Sequence, residues 1–215
     1  MSVGTQLFEG QVCPTVMQAI DSVQIDSEQM AMITPCHPLD ASALDLRNSQ
    51  ETATNVAMCG LASVKAFSDK KMCHADIKPS NVMLEGAKGK TVVMIDFGSS
   101  VPHGETITEL SFAFGLDCSP EGSLKYDMTC LAVSIVHTMT STNDPLREEV
   151  TRAGLSRAIG KSQNIALKIA KACLTEGKSI DEIWEESKEW IKSKFGNAEW
   201  LIDLEYVWPR TITSL

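Results

Sequence analysis

The chain has 215 residues, of which 43% are apolar and 22% charged, and a formal net charge of −9. Such a length buries one good core and is most simply one domain, and the composition is that of a globular, soluble chain rather than a disordered one. The acidic balance argues against nucleic acid or an anionic membrane as a main partner, no apolar run reaches membrane-spanning length, and no basic-then-apolar leader opens the sequence.

The elements follow in order. Residues 51–70 read as a helix, with Ala57, Leu61, Val64 and Phe67 at spacings of four and three. Val82-Met83-Leu84 is a short apolar run, Glu85-Gly86-Ala87-Lys88-Gly89-Lys90 a charged, glycine-bearing turn, and Thr91-Val92-Val93-Met94-Ile95 a β-branched run ending at Asp96. The pattern predicts a hairpin with strands over 82–84 and 92–95, with polar residues on its flanks. Residues 126–140 read as a helix that is apolar on most faces and therefore buried. Residues 145–160 read as a polar helix or helix-loop. Residues 163–175 place Ile165, Ala166, Ile169, Ala170 and Cys173 on one stripe, and 179–195 open with the capping box Ser179-Ile180-Asp181-Glu182. The tail 200–215 alternates apolar residues and carries no motif. There is no internal repeat and no low-complexity segment.

Cysteines stand at 13, 36, 59, 73, 118, 130 and 173. The number is odd and no Cys-x-x-Cys occurs, which favours reduced, mostly buried thiols in a cytoplasmic or nuclear setting over disulfides or zinc. Among the histidines, His137 lies on the apolar helix and reads as a core residue, while His37 and His103 read as loop residues. The ten methionines read as a plastic core.

The chemistry concentrates in His74-Ala75-Asp76-Ile77-Lys78-Pro79-Ser80-Asn81, followed after the hairpin by Asp96-Phe97-Gly98. An aspartate, a lysine two positions on, an asparagine five positions on and then Asp-Phe-Gly resemble the catalytic loop and metal-binding turn of the eukaryotic-type protein kinase superfamily. Lys78-Pro79-Ser80-Asn81 is similar to the serine/threonine version of that loop. The resemblance continues at Cys118-Ser119-Pro120-Glu121, similar to the Ala-Pro-Glu that closes an activation segment, and at Tyr126-Asp127-Met128 in the helix that follows. It is fainter at Cys13-Pro14-Thr15-Val16, and over residues 25–36, which resemble paired strands leading to a hinge with Ile33 at the gatekeeper and Thr34-Pro35-Cys36 at the hinge.

The resemblance implies an α+β, mainly helical fold: a kinase-like large lobe over 37–200, a remnant of small lobe and hinge over 1–36, and a tail over 201–215. It implies that Asp76 orients a substrate hydroxyl and accepts its proton, and that Lys78 adds positive charge beside the transferring phosphoryl group. Asn81 and Asp96 would hold Mg²⁺ for ATP, with Gly98 turning the backbone sharply after them. His74 would be structural. Asp127 would be buried against the backbone of residues 74–76, and Glu121 would pair with Lys178.

Four features depart from the family. No Gly-x-Gly-x-x-Gly occurs, and the first lysine is Lys65, so no lysine stands where the family grips the ATP phosphates. Ala75 replaces the arginine that receives a phosphorylated loop, so Thr106, Thr108 and Ser111 lose that acceptor. Phe114 stands where a threonine is usual, and Asp117 where a tyrosine is common.

Two functions are thus expected. One is an ATP-dependent serine/threonine kinase, inactive or very weak as this chain. The other is a pseudokinase-type binding or decoy module acting on another kinase or its substrate. A small-molecule kinase of the same fold family is a weaker third. Protein substrate or partner kinase, rather than nucleic acid or membrane, is the expected partner.

Overall fold

The computed structural model describes residues 15–17, 21–24, 30–37, 39–43, 46, 49–84, 92–108, 112–116, 118–139, 155, 159–160, 162–197 and 203. The expected turn over 85–90, Ser111, Asp117, most of 145–160 and the tail lie outside them.

Strands β1 (Asp21–Gln24) and β2 (Met30–Ile33) form an antiparallel hairpin. An extended stretch, 34–37, leads from it to β3 (Leu39–Asp40) and a 3-10 turn at Ala41–Ala43. Helix α1 follows at Gln50–Asp69. It starts where Ser49 accepts a bond from the Thr52 amide at 3.2 Å, a side-chain cap for an otherwise orphaned donor. Nearly every side chain from Thr52 to Phe67 is buried, so α1 is a core helix rather than a surface one.

From α1 the chain enters β4 (Met72–Cys73), passes through an extended loop to a 3-10 turn at Pro79–Asn81, and makes β5 (Val82–Leu84) and β6 (Val92–Met94). The hairpin expected from the apolar runs is present, pairing Val82 with Met94 and Leu84 with Val92. Strand β3 completes a three-stranded sheet against β5. Residues 15–17 add a parallel rung to β6: the Met94 amide donates to Thr15 and the Met17 amide to Met94, both at 2.8 Å. Strand β7 (Val101–Pro102) returns to pair with β4.

The second half is helical. A short helix, α2 (Phe112–Gly115), precedes α3 (Leu124–Met139), α4 (Ile165–Leu174) and α5 (Ile180–Phe195). Helix α3 is buried from Tyr126 to Val136 and packs against α1 and α4. The capping box read at Ser179 and Glu182 is formed in both directions. Trp184, Tyr126 and Phe67 are the bulkiest fully buried side chains, and one continuous core runs through α1, α3, α4 and α5. No helix among the described residues is long and apolar enough to cross a membrane.

Two expectations fail on this frame. His137 is exposed, not in the core: it sits in the last turn of α3, where the ring meets Phe114 edge-to-face at 6.0 Å. Glu121 does not meet Lys178. Lys178 pairs instead with Glu186, two turns into α5, and Glu121 is exposed. Lysine is a flexible point charge without the planar fork that would hold it to one distant carboxylate. The thiols fit their reading better. Cys59, Cys73, Cys130 and Cys173 are buried thiols outside any disulfide among the described residues, Cys118 is half-buried and Cys36 exposed.

The segment between β7 and α3 is stapled to itself. Gly104 donates to Gly122 at 2.9 Å, Gly122 to Glu105 at 2.8 Å, and Ile107 to Pro120 at 2.8 Å. This close approach demands a glycine at 122. An added Cβ would lie 2.8 Å from the Pro102 carbonyl oxygen and 2.7 Å from the Val101 side chain. The backbone oxygen cannot rotate away, so Gly122→Ala is expected to lower stability by roughly 1–3 kcal/mol, the usual cost of overpacking. Gly98→Ala serves as control, because its Cβ would meet nothing nearer than Asp96 Oδ1 at 3.4 Å. Equal melting temperatures for the two variants would show that the staple yields freely.

Candidate active site

Asp76, Lys78 and Asn81 come together in the loop between β4 and β5. Asp76 Oδ2 accepts from Lys78 Nζ at 2.6 Å and from Asn81 Nδ2 at 2.9 Å. Asn81 Nδ2 also reaches the Asp76 carbonyl at 2.9 Å. One carboxylate thus carries a cation on one side and an amide on the other. Asp76 is 7% exposed and Asn81 5%, while Lys78 is half-buried, so the cluster opens to solvent through the lysine.

Asp96 lies in the turn after β6 and is exposed. It makes no bond to the other three among the described residues. The two segments are tied one residue earlier, where the Ile95 amide donates to the Asn81 carbonyl at 3.0 Å. Gly98 lies in the turn that follows, closed where the Ser100 amide donates to the Phe97 carbonyl at 3.1 Å, but it is not the strained residue. The left-handed residue is Asp96, at φ 64°, and Gly98 has neither a positive φ nor a crowded Cα. Aspartate tolerates that conformation better than most side chains, so the turn is made by the residue whose carboxylate it presents.

Ala75 is the second non-glycine residue held at positive φ here, at 67°. Such backbone costs of order 1–3 kcal/mol and persists only where the surroundings over-determine it. Asp127 supplies that constraint from α3. Its carboxylate is 1% exposed and accepts the His74 amide at 2.7 Å, the Ala75 amide at 3.0 Å and the Cys73 thiol at 3.0 Å. This is the burial expected of Asp127. Burial pushes its carboxyl pKa upward, while His74 and the three donated bonds pull it back. The Cys73 thiol is driven up by burial and by that same carboxylate, so it remains a protonated donor.

Ser134, two turns along α3 on the same face, adds a bond to the Ile77 carbonyl at 3.2 Å. Asp127 and Ser134 are therefore a pair of brackets for the loop. Asp127 and Ser134, seven apart, share one face of the helix, but Thr129 and Thr138 are polar too, so polarity alone did not single out Ser134. Ser63, which donates to the Thr15 carbonyl at 2.8 Å, ties residues 15–17 to α1 and had no signal either.

His74 is buried against Phe67 and Phe97, with ring centroids 5.3 and 5.5 Å away. Its Nε2 faces the Ile95 carbonyl at 3.1 Å, and its Nδ1 accepts the Asp76 amide at 3.3 Å. The neutral ring protonated on Nε2 satisfies both, and the structural role expected of it holds. Burial lowers its pKa, against the pull of Asp127, the Ile95 carbonyl, Asp76 and Asp96. The unfolded chain, with an imidazole near about 6.5, takes up the proton first. The contribution of His74 to stability is therefore present above that pH and is lost as pH falls below it. His74→Phe keeps the ring packing and removes the titration. Urea unfolding of both proteins between pH 7.5 and 5 is expected to give a stability gap that narrows on acidification. Parallel curves would exclude a neutral buried His74.

The donor set suits a hard divalent cation. Asn81 spends its amide nitrogen on Asp76, and the Asp96 carboxylate is exposed. An amide oxygen and a carboxylate are ligand types that magnesium takes, since it keeps several waters and needs few protein ligands. No cluster of three or more His, Cys, Asp or Glu among the described residues offers a self-sufficient metal cage.

No known family's sequence model matches the chain, and no curated protein matches it either. Solved structures do. The granulovirus kinase PK-1 of Cydia pomonella superimposes with a TM-score of 0.61 at 13% identity, over 85% of this chain and 76% of that one. A chain of the yeast RNA polymerase II CTD kinase complex CTDK-1 superimposes with a TM-score of 0.63 at 15% identity, over 84% and 77%. At such identities the likeness is one of fold. The order of strands and helices, the buried Asp127 bracket and these superpositions agree: the chain has an α+β, mainly helical protein-kinase-like fold.

Proposed function

We propose that this chain carries the phosphoryl-transfer end of a serine/threonine protein kinase, acting on a protein hydroxyl with MgATP, and that as it stands it is very weak. The observation that supports this most is the Asp76 carboxylate held between Lys78 and Asn81, with the strand that leads to Asp96 tied to Asn81 through the Ile95 amide. Asp76 would orient the hydroxyl and take its proton. Lys78 would place its charge on the transferring phosphoryl group, close enough to Asp76 that both reach one reacting centre. Asn81 and Asp96 would hold Mg²⁺, which when bound neutralises phosphate charge. In this reading residues 1–36 are a remnant of small lobe and hinge, 37–200 the large lobe and 201–215 a tail.

The weakness follows from what does not face the site. No lysine precedes Lys65, so the phosphate grip the family draws from its small lobe has no counterpart in this sequence. The same gap, with Ala75 buried where a phosphate acceptor would stand, favours a second reading, in which the chain binds another kinase or its substrate as a decoy. Titration calorimetry with MgATP separates them. The first reading expects weak heat that requires magnesium and disappears in Asp96→Asn. No heat at any concentration supports the decoy. Tight binding would mean that another residue replaces the missing lysine.

A further inference from the structure

A lysine-walled groove runs along the outer face of α4, built from none of the residues discussed so far as a site. Its middle is a cavity of about 450 Å³ lined by Lys168, Lys171, Lys178, Thr175, Ala172 and Trp190. A second cavity of about 350 Å³ shares Lys168 and Trp190 with it and adds Lys194. A third, of about 340 Å³, shares Thr175 and Lys178 and adds Lys125 above an apolar floor of Leu124 and Met128. Lys168 and Lys171 stand on α4, which ends at Leu174, and Thr175 and Lys178 continue the wall in the turn before α5, so shared residues join the three cavities.

Five of the chain's nineteen basic residues thus line one groove on a protein of net charge −9. Among the described residues, no carboxylate lines the middle cavity. Two carboxylates stand along the groove: Glu186 pairs with Lys178, and Glu176, itself a wall of the third cavity, lies 3.9 Å from Lys125. Lys168 sits over the half-buried Trp190 ring at 5.8 Å, which holds a cation beside an aromatic wall of the groove.

We propose that this groove binds an extended acidic segment of a partner protein, with carboxylates on the lysines and an apolar side chain against Trp190. Charge complementarity selects the sign. Shape selects the class, because three cavities in line suit a strand of chain better than a compact anion. Lys168 and Lys171 are three residues, about 4.5 Å of rise, apart on α4, and both side chains are long enough to meet alternate side chains of an extended peptide roughly 6.8 Å apart. A short segment also avoids the acidic remainder of the surface, which a long nucleic acid would have to cross. The groove does not depend on phosphotransfer at Asp76.

The test is fluorescence anisotropy of a labelled decapeptide, Glu at eight positions and Leu at two, titrated with the full chain. Binding is expected, weakening with salt. Lys168→Gln/Lys171→Gln should weaken it about fivefold or more, since each rim charge contributes up to about 1 kcal/mol. Neither lysine is buried, so the fold should survive, which a melting curve checks. Glu186→Gln, which frees Lys178, should tighten it. Lys192→Gln, on the exposed end of α5 and outside the groove, should change it little. Equal loss in Lys192→Gln, no binding at low salt, or tighter binding of a labelled ten-nucleotide RNA would each overturn the proposal.

Discussion

Asp127→Ala is expected to lose about 3–5 kcal/mol of unfolding free energy, a large share of the roughly 5–15 kcal/mol that holds a domain together. The variant strips the partner from two buried amides, those of His74 and Ala75, each of which costs roughly 1–3 kcal/mol when left unsatisfied. It also removes the acceptor of the Cys73 thiol and releases the left-handed Ala75 that the carboxylate pins. No water reaches the position to compensate, since Asp127 is 1% exposed and its neighbours on α3 are buried. Asp127→Asn should fall between wild type and alanine. Its one side-chain oxygen can accept one amide, while its own N–H groups face the other donor. Urea unfolding followed by circular dichroism measures all three. A loss under about 1 kcal/mol in the alanine variant would mean that the loop backbone finds other acceptors, and would leave the strain at Ala75 without its constraint.

Asp127 also shows what the sequence could disclose. The family resemblance implied its burial against the loop backbone, and the physics agrees, because a charged residue in a helix apolar on most faces is costly unless paired. The catalytic-loop cluster was legible for a related reason. Asp76, Lys78 and Asn81 lie within six residues, and a short loop between two strands leaves them few ways to be apart. The hairpin over 82–94 and the four long helices came from periodicity, which survives any detail of packing.

What was illegible depends on tertiary choices between near-equal options. Lys178 had two carboxylates within its reach in principle, and the nearer in sequence, Glu186, takes it. His137 carries the apolar pattern of its helix, but α3 ends beneath it and leaves the ring exposed beside Phe114. At the Asp96 turn, glycine was the residue expected to bend the chain, yet the positive φ falls on the aspartate two positions before it. The parallel rung of residues 15–17 on β6 is made of backbone bonds, helped by Ser63 and by Val16 against Phe67, contacts too distant in sequence for a local pattern to announce.

Phosphotransfer by residues 1–215 is expected to run several powers of ten below the ~1–100 s⁻¹ of ordinary kinases, and Asp76→Asn should abolish what remains. Catalysis of this kind is positioning plus preorganised charge. On the proposed reading the chain holds the reacting end, with Asp76 bonded by Lys78 and Asn81. It supplies no lysine before residue 65 to fix the phosphates and no glycine-rich loop to cover them. Nucleotide would bind poorly and in many poses, and removing one such positioning group alone typically costs about 10²–10³ in rate. Asn keeps the shape of Asp76 and its place beside Asn81 but removes the proton acceptor and the partner of Lys78. Lys78→Ala should be nearly as damaging, because it also frees the Asp76 carboxylate from its positioned geometry. The measurement is transfer of γ-labelled phosphate to matched peptides that differ only in serine or tyrosine at the acceptor position. Incorporation into the serine peptide alone, lost in Asp76→Asn, is the expected result. Label that persists in that variant, or that favours tyrosine, would take the proton-accepting role away from Asp76 or the serine/threonine assignment away from this loop.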